Sequence, residues 1–407
     1  MNEWSVDQEA LRNGLKSWCE ALNTGHLERD LEGTFSEEAW KLVRESGILG
    51  LPFDERYGGL GQDLLTTMYV LEGLGHGCLD GGLNFSVSTH IVGVGVALQR
   101  FGSDALKERY LPGICAGSTI GAHAISEPDH GSDALQMTTK AVRDGDGYVL
   151  NGAKCFVTNG PVADLFTVYV RTGREGGPLS ITAFLVERDT PGLTFGEPTK
   201  KMGLRTSPMC ELYFDDCRIP ADHVVGRVGG GFLVLDHVMK WEILCSFIIN
   251  TGEMQRRLER TVEHAKNRVA FGRPIGGFQA VSHKIVDMRT GVATSRKWLY
   301  DTARRLAAGE NITVDLATAK LIASENNLSN ALAAVQIFGG NGYTVEYGLE
   351  KDLRNAVAGT IYSGTSEIQR NRVAAMLGLN DDPSDGSRRS LRGPSSRGGK
   401  EGAIHGG

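Results

Sequence analysis

The chain has 407 residues, with 43 Lys and Arg against 49 Asp and Glu, a formal net charge of −6, 41% hydrophobic and 23% charged residues. That balance suits two or three subdomains around a sizeable core, excludes a single small binding module, and gives no electrostatic reason to expect nucleic acid. Cys19, Cys78, Cys115, Cys155, Cys210, Cys217 and Cys245 form no C-x-x-C pair, which predicts free thiols and a cytoplasmic setting, and we expect neither a signal peptide nor a membrane span.

Leu11, Leu15, Trp18 and Leu22 step by four, three and four, so residues 1–120 are read as an N-terminal helical domain, punctuated by Pro52 and Gly58-Gly59. The apolar, Gly-rich stretch 83–98 predicts a buried helix; its Gly93-x-Gly95 lacks the third glycine and the preceding strand of a dinucleotide fingerprint. From 121 to 228 the pattern changes to short β-like runs at 148–150, 165–170, 181–186 and 211–214, a middle β domain in which Asn151-Gly152 predicts a type I′ hairpin turn. A helical period returns over 229–380, with Leu321, Leu328, Leu332 and Val335 expected along one face. The remainder, 381–407, is rich in Gly, Ser, Pro and Arg and is expected to be disordered.

Chemistry concentrates in a few segments. Ala124-Ile125-Ser126-Glu127-Pro128 runs into Gly131-Ser132-Asp133; alone this is as readily turn chemistry as a ring of donors. Asn151-Gly152-Ala153-Lys154-Cys155-Phe156-Val157-Thr158-Asn159-Gly160 follows, and by itself Phe156 reads as an ordinary core aromatic. Arg268-Val269-Ala270-Phe271-Gly272-Arg273 leads to Gln279 after a long helical stretch, where an arginine near a helix end is often no more than favourable end charge. Gln336-Ile337-Phe338-Gly339-Gly340-Asn341-Gly342 could be a helix C-cap at Gly339, but three glycines in four residues exceed what a cap needs. Last comes Ile361-Tyr362-Ser363-Gly364-Thr365-Ser366-Glu367-Ile368-Gln369.

Together these segments resemble the acyl-CoA dehydrogenase family over about residues 5–379. The resemblance implies an α+β fold with an N-terminal helical domain, a middle β-barrel domain and a C-terminal four-helix-bundle domain. It implies FAD, with Ser126, Phe156 and Thr158 around the flavin and Ser132 near the thioester. Arg268, Phe271, Gln279, Gln336, Gly339 and Gly340 would reach the cofactor of a neighbouring subunit, and Thr365 and Glu367 would contact it too. Such a protein is a dimer or tetramer, and its electron acceptor is expected to be an electron-transferring flavoprotein.

One mismatch decides the site. Where most members carry the catalytic glutamate, this chain has Ser363, and near neutral pH an unactivated hydroxyl is far too weak a base. Met239-Lys240-Trp241-Glu242-Ile243-Leu244 places Glu242 where the isovaleryl-type and long-chain members keep theirs. A carboxylate in such an apolar run is expensive to bury without a use; the bland alternative is a solvent-facing residue paired to Lys240. Glu346 and Glu350 are rival carboxylates. Ile243 replaces a common arginine, and Arg354-Asn355-Ala356 replaces the usual Arg-Asp-Ala. With the Trp-Glu pair and Ser363, these departures resemble the branch that desaturates acyl or prolyl groups on a carrier protein. The implied reaction is α-proton abstraction by Glu242 with β-hydride transfer to flavin N5. A flavin monooxygenase or oxidase on the same fold, or a noncatalytic flavin- or carrier-binding component, are the other readings. No metal site is expected.

Overall fold

The computed structural model describes residues 4–173 and 177–379, so the tail expected to be disordered lies outside the described residues. Helices occupy the first part of the chain, a mixed sheet the middle and long helices the last part. The opening helix, Val6–Leu22, begins at a capping box in which Ser5 accepts from the Gln8 amide and the Gln8 side chain returns to the Ser5 backbone. Its expected apolar stripe holds: Leu15 and Leu22 are buried, and Leu11 and Trp18 half-buried.

Two helices touch almost backbone to backbone. A Cβ on Gly75, in Leu64–Gly77, would stand 2.0 Å from the Ile249 carbonyl oxygen, and one on Gly252, in the long Gly231–Asn267 helix, 2.2 Å from that of Glu72. Only glycine permits this approach. Buried Glu72 then takes Arg296 Nε at 2.6 Å and Tyr300 Oη at 2.8 Å from the Gln279–Ala307 helix. The long helix, which carries Glu242, is thereby fixed between two others.

The stretch expected as a buried helix is helical from Gly81 to Phe101, with a π turn at Ile91–Val96 whose residues are all buried. Contrary to expectation it is long and apolar enough to pass for a membrane span, but 94% of its most apolar window is buried inside the molecule. It is a core helix.

The strands are β1 Gly121–Ala124, β2 Lys140–Asp144, β3 Gly147–Thr158, β4 Leu165–Arg171, β5 Ile181–Glu187, β6 Leu193–Phe195, β7 Met209–Pro220 and β8 Val224–Val225. They order as β6-β7-β3-β2-β4-β5-β8, with β1 parallel to β4. β4 and β5 are buried on both faces, which explains their uninterrupted apolar runs. The Asn151-Gly152 turn is not found: β3 runs straight through it with a register shift against β7 between Leu150 and Gly152. Gly152 takes φ 142° with Thr139 packed where a Cβ would go, and the Asn151 side chain bonds Asp216 instead. The pair makes a bulge rather than a turn. The β2–β3 hairpin closes at Gly145, whose φ is 57°.

In the last part, Gly231–Asn267, Gln279–Ala307 and Thr313–Phe338 pack together with the shorter Leu349–Gly359 and Ser366–Met376. The stripe expected inside Thr313–Phe338 is only half-buried at Leu321, Leu328 and Val335, and Leu332 is 56% exposed. The buried face is Leu316, Ala319, Ala323, Ala331 and Ala334. Small residues dominate this face, and the periodicity of the larger side chains marks its edge rather than its centre. Buried Arg257 reaches Asn327 Oδ1 at 3.2 Å, Asn330 Oδ1 at 2.8 Å and Asp352 Oδ2 at 3.4 Å, tying Leu349–Gly359 to the bundle. That helix leads directly into Tyr362 and Ser363.

Candidate active site

Glu242 is 9% exposed on the long helix. Its Oε1 accepts a hydrogen bond from Ser363 Oγ. The bland alternative fails, because Lys240 Nζ turns to Asp236 at 2.6 Å. Of the rival carboxylates, Glu350 is occupied by Arg354 at 2.6 Å and Glu346 is exposed. Ser363 sits at φ 55°, in a turn pinned by buried Gln369, whose Nε2 donates to the Ser363 and Gly364 carbonyls at 3.1 Å. Tyr362 beside it stacks on Phe247 at 5.1 Å and donates to Asn250 Oδ1 at 3.0 Å. The serine that replaces the usual glutamate thus holds the carboxylate that arrives from the neighbouring helix.

The second oxygen of Glu242 meets a residue that sequence reasoning missed. His123 Nε2, on β1, lies 3.2 Å from Glu242 Oε2. The only sequence signal was a polar residue in the apolar run Ile120-Gly121-Ala122-His123-Ala124. Nearby, Tyr169 on β4 is fully buried with its hydroxyl unpartnered; burial, and then the Glu242 charge, raise its pKa well above the ordinary tyrosine range and keep it a neutral phenol. Carboxylate and imidazole meet directly, and the phenol lies within reach of the carboxylate's charge.

The first two motifs are joined by a buried ion pair. Lys154 Nζ donates to Glu127 Oε1 at 2.9 Å and to the Ile125 carbonyl at 3.0 Å, and Glu127 also accepts from the Thr138 and Thr139 amides at 2.6 and 2.9 Å. Burial pushes the Glu127 carboxyl up, but Lys154 and the amides outweigh it and hold it down at about 2. Burial lowers Lys154 to about 8 against the pull of Glu127. The Cys155 amide donates to the Ser126 carbonyl at 2.9 Å, so the Ser126 loop lies against β3. A register shift between Lys154 and Val157 and a φ of 55° turn the Phe156 ring outward, 66% exposed, on the same side as half-buried Thr158 and opposite buried Val157. Phe156 is therefore not a core aromatic. Ser126 is half-buried and Ser132 exposed.

The remaining predicted residues lie elsewhere. Phe271 is 96% exposed at φ 51°, and Arg268, Gln279, Gln336, Gly339 and Gly340 are exposed. Ile275, Val281, Ile337 and Phe338 share a small apolar cluster, which brings the Arg268–Gln279 segment beside the end of Thr313–Phe338. Gly339 does cap that helix, with φ 60° and ψ −132°. The Thr365 hydroxyl accepts from the Ile368 amide as the N-cap of Ser366–Met376, with Glu367 exposed beside it. The sequence departures differ in place: Ile243 is wholly buried in the core, whereas Asn355 lines a narrow cavity with Tyr362, Phe85 and Ser246.

Glu242 is thus a buried carboxylate held between the long helix, β1 and the Ser363 turn, and Phe156 stands exposed, with Thr158 and Ser126 half-buried, on the sheet. The chain belongs to the acyl-CoA dehydrogenase family: the N-terminal, middle and C-terminal domain models match residues 5–118, 122–217 and 229–378. It is similar to an L-prolyl (peptidyl-carrier protein) dehydrogenase of Pseudomonas fluorescens, 38% identical over 85% of this chain and 91% of the relative. The prolyl acyl carrier protein oxidase AnaB is 38% identical, with a TM-score of 0.90 over 93% of this chain and 100% of AnaB. PigA with FAD and proline is 36% identical, with a TM-score of 0.90 over 93% of this chain and 100% of PigA. The protein is an oxidoreductase of the type that acts on CH–CH bonds.

Proposed function

We propose that the chain is an FAD-dependent acyl-thioester dehydrogenase that introduces an α,β double bond into an acyl or aminoacyl group presented by a carrier protein. The observation that carries this reading is Glu242, buried and held by Ser363 at the one place where the family's usual base is missing. The thioester acidifies the α-proton, and Glu242 removes it through a carboxylate shielded from water. Ser363 orients that carboxylate and takes no proton, since its own Oγ–H is committed to Glu242. FAD, when bound, supplies the acceptor for the β-hydrogen.

The residues present fit that cofactor. Phe156 and Thr158 offer an open aromatic and hydroxyl face, and the loop amides around Ser126 and Ser132 offer donors. Exposed Arg268 suits a diphosphate through its forked guanidinium. Exposure of Arg268, Phe271, Gln279, Gln336, Gly339 and Gly340 supports completion of the cofactor site by a second copy of the chain. A homo-oligomer, dimer or dimer of dimers, follows, and outward-facing Leu332 and Val286 supply apolar surface for it. Thr365 and Glu367 are assigned to the same cofactor. The unpaired state of all seven cysteines supports a reducing, cytoplasmic setting.

Carrier-protein presentation is supported by the names of the relatives. A carrier's pantetheine delivers the thioester without the adenosine phosphates of coenzyme A. The test is anaerobic bleaching of the flavin by a panel of acyl and aminoacyl groups, each offered on coenzyme A and on a carrier protein. Bleaching on the carrier alone supports the reading, and bleaching on coenzyme A alone overturns the carrier assignment. A second reading, molecular oxygen in place of an electron-transferring flavoprotein as acceptor, is favoured by AnaB being named an oxidase. Hydrogen peroxide formed in step with product distinguishes the two.

A further inference from the structure

We propose that His123 is a positioning residue for the base: it blocks rotation of the Glu242 carboxylate and fixes Oε2 as the oxygen that receives the α-proton. This rests on the reading of Glu242 as the base. The argument begins with the two oxygens. Oε1 is occupied by the Ser363 hydroxyl. Oε2 is buried and has no aligned donor, although His123 Nε2 stands 3.2 Å away. A carboxylate with one oxygen fixed and the other flanked but unsatisfied keeps a lone pair free for a C–H proton, and positioning of this kind is worth orders of magnitude in rate when the geometry is held.

The fold makes a place for this imidazole. The π turn at Ile91–Val96 puts Gly93 against β1, where a Cβ would meet His123 Cγ and the His123 amide nitrogen, both at 3.3 Å. A larger residue would crowd the base of the ring and the strand that carries it. Turns of this kind inside α-helices are frequent at functional sites, because the extra residue re-aims the helix locally. The strand itself is held by the Gly121 amide donating to His90 Nδ1 at 3.0 Å, and His90 Nε2 is engaged by the Ile114 carbonyl at 2.9 Å. His90 is thus committed to structure. His123 differs: its Nδ1 is buried with no partner, so the ring is not held by a hydrogen bond from behind. Its place comes from packing against Gly93 and from the carboxylate in front. Besides His123, the titratable groups that act on Glu242 are Tyr169 from β4 and Tyr362 from the Ser363 turn.

His123→Phe keeps a ring and removes the polar nitrogen edge that stands 3.2 Å from Oε2, His123→Gln keeps a polar group there, and Gly93→Ala leaves the imidazole intact but crowds it. In rapid mixing with the best thioester of the panel, His123→Phe should lose roughly tenfold or more in the bleaching rate, a modest share of what orientation can supply. Its KM and FAD content should stay at wild-type values, and the isotope effect with α-deuterated substrate should rise. His123→Gln should recover part of the loss, and Gly93→Ala should fall between wild type and His123→Phe. A wild-type rate in His123→Phe, or equal loss in the Phe and Gln variants, overturns the proposal. A readout independent of turnover separates it from the reading of function: the nitrogen NMR signal of His123 Nε2 should move in Glu242→Gln. Movement without bleaching by any thioester would keep the pairing and sink the proposed reaction. An unmoved signal would sink the pairing.

Discussion

Lys154→Met tests how the first two motifs are joined. The variant keeps an unbranched side chain of similar length at a fully buried position and leaves Glu127, 3% exposed, as a carboxylate with no cation beside it. Breaking one side of a buried pair costs about 3–5 kcal/mol, chiefly through the charge left behind. The Thr138 and Thr139 amides, which still donate at 2.6 and 2.9 Å, place the expectation at the lower end of that range. Urea unfolding followed by circular dichroism measures it. The double variant Glu127→Gln/Lys154→Met should recover most of the loss, since no uncompensated charge then remains. The pair also predicts an acid limb. Glu127 is held at about 2 against an ordinary 4.5, a depressed carboxyl, so its contribution is complete above about pH 4.5 and is lost as pH falls towards 2. The difference of some 2.5 units is worth about 3 kcal/mol, and Glu127→Gln should flatten that limb. The Ile125 carbonyl loses its Lys154 donor too, so FAD should dissociate more readily from Lys154→Met. A single variant within about 0.5 kcal/mol of wild type, or a double variant worse than the single, would refute the reasoning.

Gly252→Ala should destabilise by about 3 kcal/mol, because its Cβ would lie 2.2 Å from a backbone oxygen that cannot rotate away; thermal unfolding reads the loss, and the displaced long helix should slow turnover as well. Arg268→Gln should leave the fold intact while FAD retention on gel filtration falls about tenfold, the loss of one charge-assisted contact to a diphosphate. If cofactor content is unchanged in Arg268→Gln, the exposed C-terminal motif does not hold the cofactor.

Elements whose signal is local were legible. The helical step of Leu11, Leu15, Trp18 and Leu22 and the apolar runs of β4 and β5 reflect a single periodicity each, and both recur in the structure. Local signals misled where a partner overrides them. Asn151-Gly152 has the composition of a turn, but Asp216 and Thr139 on either side hold it extended as a bulge. Leu328 and Leu332 promise a core face, yet Leu328 is half-buried, Leu332 exposed, and Ala319, Ala323, Ala331 and Ala334 take the buried face. Glu242 stands out by its register against the family's pattern and by the apolar residues beside it in sequence. Its contacts with Ser363 and His123 join residues far apart in sequence, and nothing in a one-dimensional pattern records such a meeting.

The central claim is that Glu242 removes the α-proton. Wild type and Glu242→Gln, each loaded with FAD, would be mixed anaerobically with the preferred carrier-bound thioester and followed at the flavin absorbance. The amide keeps the size and a hydrogen-bond acceptor for Ser363 but cannot take a proton, so bleaching in Glu242→Gln should be slowed at least a thousandfold, on the order expected for loss of a general base in an oriented site, with substrate affinity retained. Bleaching at the wild-type rate would contradict the account and return the search for the base to another residue.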